Sequence, residues 1–321
     1  MTTNVQHTAA AAEAELVEVK KIWDKAPHNA FTDLVWFKGR WFCVFREGKA
    51  HVSPDGAFRI LTSKDGVSWE SAALIKSEQG DLRDAKFAVT PRGQLMLVGA
   101  AALHKPTTGR HQSMTWFSDD GVTWSGPSEV GDVGFWLWRV TWRDDTAYGF
   151  GYGTGTNRNN HFLRLYRSGD GKTFEALIEN AYSVNSPNET KILFREDGIA
   201  LCFLRREEGS KTAQLGIAAP PYKEWQWKDL GKQVGGPNII QLPDGRIVAA
   251  ARLYDGKVRT SLLWLDPKSA TLKEFLALPS GGDSSYAGLV WKDGLLWVSY
   301  YSSHAGKTSI YLAKVKFAPE Q

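Results

Sequence analysis

The chain has 321 residues, 42% of them hydrophobic and 23% charged, and a formal net charge of +4. That balance excludes a disordered or fibrous chain, and the absence of any Lys/Arg block gives no footprint for nucleic acid. No apolar run reaches the ~18 residues of a membrane span, so no membrane insertion is expected, while the mild positive charge leaves room for an anionic small molecule.

In chain order, residues 1–14 read as a tail. They lack the basic and apolar regions of a signal peptide, so the chain as given is expected to be cytoplasmic; removal of a leader would make it secreted or periplasmic. The segment ELVEVKKIW from Glu15 reads as a strand. Apolar strand patterns then open at Ala30, Asp81, Phe135, Pro187, Gly235 and Ser284, with spacings of 51, 54, 52, 48 and 49. Each first strand ends in hairpin residues: Lys38-Gly39, Arg92-Gly93, Asp144-Asp145, Asp197-Gly198, Asp244-Gly245 and Asp293-Gly294.

A second repeat lies on the same period. Ser63-Lys-Asp65-Gly66-Val-Ser-Trp69, Ser118-Asp-Asp120-Gly121-Val-Thr-Trp124 and Ser168-Gly-Asp170-Gly171-Lys-Thr-Phe174 share the pattern S-x-D-G-x-[ST]-[WF]. In such a turn the Asp carboxylate accepts from backbone N–H groups further on, Gly supplies the permissive angle, and the aromatic anchors the returning strand. Three copies at this spacing predict an all-β chain, a six-bladed β-propeller of four-stranded antiparallel blades, forming a single domain over residues 15–321. The sixth unit has only about three strands, so the segment at Glu15 is expected to add the fourth and close the ring. Cys43 and Cys202 sit in apolar runs and are expected to be buried free thiols. No two histidines stand at a metal-ligand spacing, and no metal or cofactor is called for.

In a propeller the first strand of each blade lines the central channel. The polar positions on the six first strands are Asp33, Asp84, Arg139, Glu189, Asn238 and Tyr286. The second strands end at Arg46, around Ala101, and at Tyr152, Arg205, Arg252 and Tyr300. Three arginines at equivalent places suit a carboxylate, because each guanidinium offers a rigid fork of donors. Trp136, Trp138, Tyr152, Tyr254 and Tyr300 are expected either to form a sugar-stacking wall or to pack the blades.

The S-x-D-G turns resemble the Asp box, or BNR repeat, of the sialidase superfamily, in a form one residue shorter. The resemblance extends to site motifs: Arg46 in VFREG, Glu189 in PNETKILF, Arg205 in LCFLRRE, Arg252 in RIVAAARL and Tyr286 in GGDSSYAG. It implies an exo-glycosidase for a terminal acidic, 2-keto acid type sugar. Arg46, Arg205 and Arg252 would clamp its carboxylate, and Tyr286 would be the nucleophile with Glu189 as its base. The match is weaker at the general acid. The loop EGKAHVSPDGAF offers His51 and Asp55, and Asp84 on the second blade is a further candidate. Arg83 and Arg139 would be additional basic groups, with Tyr152 and Tyr300 touching the sugar.

A Tyr nucleophile has a physical rationale. A carboxylate would be repelled by a carboxylate at the anomeric carbon, whereas a neutral phenol is not. Two other readings remain open on the same scaffold. One is a lyase or hydrolase for another acidic sugar such as a uronate. The other is a glycan-binding propeller without catalysis.

Overall fold

The computed structural model describes residues 14–106, 108–155 and 161–318, and all regular structure in them is β. Of the expected tail, residues 1–13 lie outside the described residues, and Ala14 already begins β1 (Ala14–Trp23). The first sheet contains β2 (His28–Phe37), β3 (Arg40–Gly48), β4 (Ala57–Ser63) and β5 (Glu70–Ile75) in chain order. The second contains β6 (Gly80–Val89), β7 (Leu95–Leu103), β8 (His111–Ser118) and β9 (Ser128–Val130). In the third, β10 (Phe135–Leu137) and β11 (Thr141–Arg143) both pair with β12 (Thr146–Gly153), followed by β13 (Leu163–Ser168) and β14 (Glu175–Tyr182).

The next sheet has seven strands: β15 (Pro187–Phe194), β16 (Ala200–Arg206), β17 (Thr212–Ala218), β18 (Gln226–Gln241), β19 (Ile247–Leu253), β20 (Arg259–Asp266) and β21 (Thr271–Ala277). The last contains β22 (Ser284–Lys292), β23 (Leu295–Ser302) and β24 (Ser309–Phe317), with β1 hydrogen-bonded antiparallel along β24.

Hydrogen bonding therefore gives five sheets rather than the expected six of four strands. The difference lies in β18, which is continuous over 16 residues. Its first half pairs with β17 and its second half, from Val234, with β19, so one strand joins two four-stranded sets. The strands that open each set touch in turn. β2 meets β6 and β22, β11 meets β6 and β15, and β18 meets β15 and β22.

The three Ser-x-Asp-Gly turns share one geometry. Asp120 Oδ1 accepts from Val122 N at 2.8 Å and Thr123 N at 2.7 Å, and Ser118 Oγ accepts from Gly121 N at 2.8 Å. Asp65 and Asp170 repeat these bonds. Gly121 has φ +75°, and a Cβ there would lie 2.4 Å from the Phe42 ring of the preceding sheet. Gly66 docks as tightly, with a Cβ there 2.5 Å from the Trp297 ring, so at these two turns a side chain cannot fit. At Lys38-Gly39 and Asp293-Gly294 both residues have positive φ, the signature of a tight hairpin.

Between sheets the core is aliphatic and aromatic. Phe42, Phe45 and Phe58 are fully buried, each worth roughly 1.5–3 kcal/mol of transfer free energy. Cys43 and Cys202 are buried and free.

The feature that positions the site is a bulge at five places in the opening strands, in β2, β6, β15, β22 and the second half of β18. Pairing slips between Ala30 and Asp33, Arg83 and Lys86, Pro187 and Thr190, Gly235 and Asn238, and Ser285 and Gly288. Phe31, Asp84, Gly236 and Tyr286 occupy equivalent bulge positions with φ of 64°, 57°, 59° and 52°. A bulge re-aims side chains and is common beside active sites. It also shifts the expected register. Asp33 and Asn238 lie one step beyond the bulge in paired strand, and Phe31 and Gly236 take the equivalent places.

Candidate active site

Tyr286, Glu189 and Arg205 meet in one group. Tyr286 Oη donates to Glu189 Oε1 at 2.6 Å, and Arg205 Nη1 reaches Glu189 Oε1 at 2.9 Å and Tyr286 Oη at 3.0 Å. Glu189 Oε2 accepts from Gly236 N at 2.7 Å. Both carboxylate oxygens are thus fixed. Gly236 is required on two counts: its φ is positive, and a Cβ would lie 2.8 Å from the Tyr286 ring.

Burial drives the Tyr286 phenol well above its ordinary pKa, and the Glu189 charge adds to this while Arg205 and Arg252 oppose it. Ser285 and Tyr286 both have positive φ, a conformation costing on the order of 1–3 kcal/mol per residue. The backbone is held there in part by Thr32 Oγ1, which donates to the Tyr286 carbonyl at 2.9 Å.

Asp84 is buried, and its Oδ1 has no hydrogen-bond partner. Burial pushes its carboxyl up to about 6, the Glu189 charge pushes the same way, and Lys86 and Arg83 pull against them. A carboxyl raised towards neutrality keeps part of its population protonated at mildly acidic pH, as a general acid needs. Lys86 is equally buried, with Nζ 3.2 Å from Thr32 O and facing the rings of Trp138 (5.2 Å) and Tyr286 (5.9 Å). Burial, then repulsion from Arg139, lowers its ammonium to about 8.

The expected three-arginine clamp is not assembled. Arg252 lies 5.4 Å from the Tyr286 ring and donates to Ser284 O (2.8 Å) and Tyr301 Oη (2.9 Å). Arg46 is a correction. It is fully buried, and its guanidinium is spent on Asp81 Oδ1 (2.8 Å), Ala50 O (2.9 Å) and Ser53 (3.0 Å), where it pins the loop between β3 and β4. Its strand end faces that loop because Asp81, at the start of β6, offers a buried carboxylate there.

Arg83 lies 5.5 Å from the Phe31 ring, and its Nε is buried without a partner. Arg139 is buried between Asp33 Oδ1 (3.0 Å) and Ala287 O (3.2 Å) as an interior tie rather than a free cation. Tyr152 is buried, stacks on Trp136 at 6.0 Å and feels the charges of Glu189 and Asp84. Trp138 meets the Tyr286 ring edge-on at 5.8 Å.

Tyr300 is a second correction. Its Oη donates to Pro279 O at 3.0 Å and its ring stacks on Tyr311, so it packs the last sheet. Asp55 is a third. It accepts from Lys49 N, and although burial works the other way, hydrogen bonds from Ser53 and Lys49 hold its carboxyl below the usual range. That is the wrong direction for an acid catalyst. His51 is half exposed. Its Nδ1 lies 2.8 Å from Asp283 Oδ2, and its ring stands edge-on to Phe31, which is itself edge-on to Tyr286.

Five neighbours of the site went unread in the sequence: Phe31, Lys86, Asp283, Tyr301 and His28. Lys86 had a signal, a lysine inside the apolar run DAKFAV. Asp283 ties several together, accepting from Tyr301 Oη at 2.6 Å and from Arg252. Burial opposes its charge, but hydrogen bonds from His28, His51 and Tyr301 outweigh it and keep the carboxyl far below the usual range. The sequence showed no local metal-ligand spacing, yet the fold brings His28, His51 and Asp283 together from opposite ends of the chain.

No protein-family model matches the chain, and no curated protein does. Solved structures do. A protein of unknown function from Dyadobacter fermentans is 21% identical over 95% of this chain and 100% of its own, with a TM-score of 0.83. The Penicillium chrysogenum alpha-L-arabinanase complexed with arabinobiose is 13% identical over 93% and 98%, with a TM-score of 0.72. The Trypanosoma rangeli sialidase is 12% identical over 95% of this chain and 60% of its own, with a TM-score of 0.70. At these identities the likeness is one of fold, a propeller-like array of antiparallel sheets.

Proposed function

We propose that this chain is a glycoside hydrolase on a single six-bladed propeller spanning residues 15–321, and that it removes a terminal acidic sugar with Tyr286 as nucleophile. The ring reading draws on the succession of contacts between opening strands, with β18 shared by the fourth and fifth blades and β1 completing the sixth. The Ser-x-Asp-Gly turns are then Asp boxes on the first three blades.

The observation that carries the function is the 2.6 Å bond from Tyr286 Oη to Glu189 Oε1, bridged by Arg205. Glu189 takes the phenolic proton as Tyr286 attacks the anomeric carbon. Asp84, in the protonated form that its raised carboxyl of about 6 favours at mildly acidic pH, gives its proton to the leaving oxygen. In the second step Asp84 deprotonates a water that displaces Tyr286, and Glu189 returns the proton to the phenolate. Two displacements give net retention.

Arg205 and Arg252 favour the phenolate and, with Arg83 in place of Arg46, hold the substrate carboxylate. The glycosidase neighbours support hydrolysis of a carbohydrate. They do not select the acidic sugar, which rests on these cations.

The second reading is a neutral pentoside, with Glu189 and Asp84 as the carboxylate pair. The withdrawal of Arg46 onto Asp81 and the structural likeness to an arabinanase and an arabinofuranosidase favour it. A panel of aryl glycosides of 2-keto acid sugars, uronates and neutral pentoses separates the two. Release from the acidic sugars alone supports the first reading. Release from arabinosides alone supports the second. An unsaturated product absorbing in the ultraviolet would replace both with a lyase.

A further inference from the structure

Beside Phe31 and Arg252, which both lie against the Tyr286 ring, three segments distant in sequence converge: the first residue of β2, the loop between β3 and β4, and the residue before β22. They bring His28 Nε2 and His51 Nδ1 to the same oxygen, Asp283 Oδ2, at 3.1 and 2.8 Å. The three donor atoms lie within 4.8 Å of one another.

We propose that His28, His51 and Asp283 form a binding site for a divalent transition-metal ion of the zinc class. A tetrahedral ion bonded at about 2.0–2.1 Å holds its donors about 3.3 Å apart, so an ion would replace the two hydrogen bonds and spread these pairs by a few tenths of an ångström. Two imidazoles and one carboxylate suit zinc and its neighbours rather than calcium or magnesium, which take oxygen sets.

The carboxylate is oriented for the task. Its other oxygen, Oδ1, is engaged by Tyr301 Oη at 2.6 Å and Arg252 Nη2 at 3.3 Å, which leaves Oδ2 to the histidines. Such outer contacts fix a ligand's direction. Two sides of the site are protein. His28 is buried, and the Phe31 ring stands edge-on to His51 at 5.2 Å. The third side is open, because the His51 side chain is half exposed, and solvent or a substrate oxygen can fill the remaining position.

The ion would tie the β3–β4 loop, held at its base by Arg46, to the starts of β2 and β22. That places a fixed cation one side chain away from Arg252, which lies 5.4 Å from the Tyr286 ring. The site stands whether or not Tyr286 is a nucleophile.

The test is calorimetric titration of chelator-treated full-length protein with Zn²⁺, with thermal unfolding alongside and Co²⁺ as a spectroscopic probe. One ion per chain, a raised Tm, and visible Co²⁺ absorption of tetrahedral type are expected. His51→Ala changes a half-exposed loop residue and should fold. It should lose more affinity than the ~10–100-fold typical of outer-shell changes, and His28→Gln should do the same. Tyr286→Phe should bind the ion unchanged. No stoichiometric binding, or binding that survives in both His51→Ala and His28→Gln, overturns the proposal.

Discussion

Tyr286 Oη and Glu189 Oε1 are 2.6 Å apart although 97 residues separate them in the chain. Two bulged strand starts bring them together, and Gly236 holds the other carboxylate oxygen. Geometry of this kind makes specific demands on variants.

Tyr286→Phe keeps the ring against Gly236, Phe31 and Trp138 and removes only the oxygen. The variant should fold normally and lose about 10³-fold or more in kcat/KM, the scale of removing a nucleophile. Steady-state kinetics with circular dichroism as the folding control checks this. Activity within a few-fold of wild type would remove the phenol from the mechanism.

Asp84 sets a pH limit. With its carboxyl near 6, kcat/KM should fall as pH rises through that value, as the acid ionises. Asp84→Asn should abolish that limb and cost about 10²–10⁴-fold with a poor leaving group, but far less with an activated phenol. Asn tolerates the left-handed backbone at this position, so the substitution tests the proton rather than the bulge.

The same shift makes a stability prediction of known sign. A raised carboxyl means that the folded state holds its proton longer than the unfolded state. Wild-type stability therefore falls from about pH 4 to about pH 6 and stays lower above. Asp84→Asn removes this burden and should be more stable than wild type at pH 7, by up to about 3 kcal/mol. Denaturant unfolding at pH 4 and pH 7 measures it, and an equal difference at both values would contradict the assignment.

Arg46→Ala should declare itself in unfolding. It strands the buried Asp81 carboxylate and should cost about 3–5 kcal/mol. The folded fraction should bind acidic ligands with little change, whereas a clamp arginine would raise KM sharply at near-normal stability.

The Ser-x-Asp-Gly turns are structural. Asp120→Ala should cost about 1 kcal/mol through lost amide hydrogen bonds and leave kcat/KM unaltered. Those bonds, from Thr123 and Val122, hold the carboxyl at about 2. The stability gap between wild type and variant should be full above about pH 4 and close as pH falls towards 2.

Much of this was legible in the sequence because repeats report position. The period put Glu189 and Tyr286 on first strands and Arg205 at a second-strand end, and the structure brings the three together. The turn motif foretold its own hydrogen bonds at Asp65, Asp120 and Asp170. Three things were not legible. Strand alternation does not count bulge residues, so Asp33 and Asn238 took places that belong to Phe31 and Gly236. Where a strand-end arginine points depends on the loop beside it, so Arg46 looked like Arg205 until Asp81 and Ser53 were in view. The break expected between the fourth and fifth units needs a turn, and the segment from Gln226 to Gln241 simply continues as strand.

The most direct test of the tyrosine mechanism is to trap the intermediate. The protein would be incubated with fluorinated, activated analogues of the acidic sugars and pentoses in the substrate panel, digested, and mapped by mass spectrometry. The account predicts a stoichiometric glycosyl adduct on Tyr286, absent in Tyr286→Phe. An adduct on Glu189 instead would contradict it and establish the carboxylate pair.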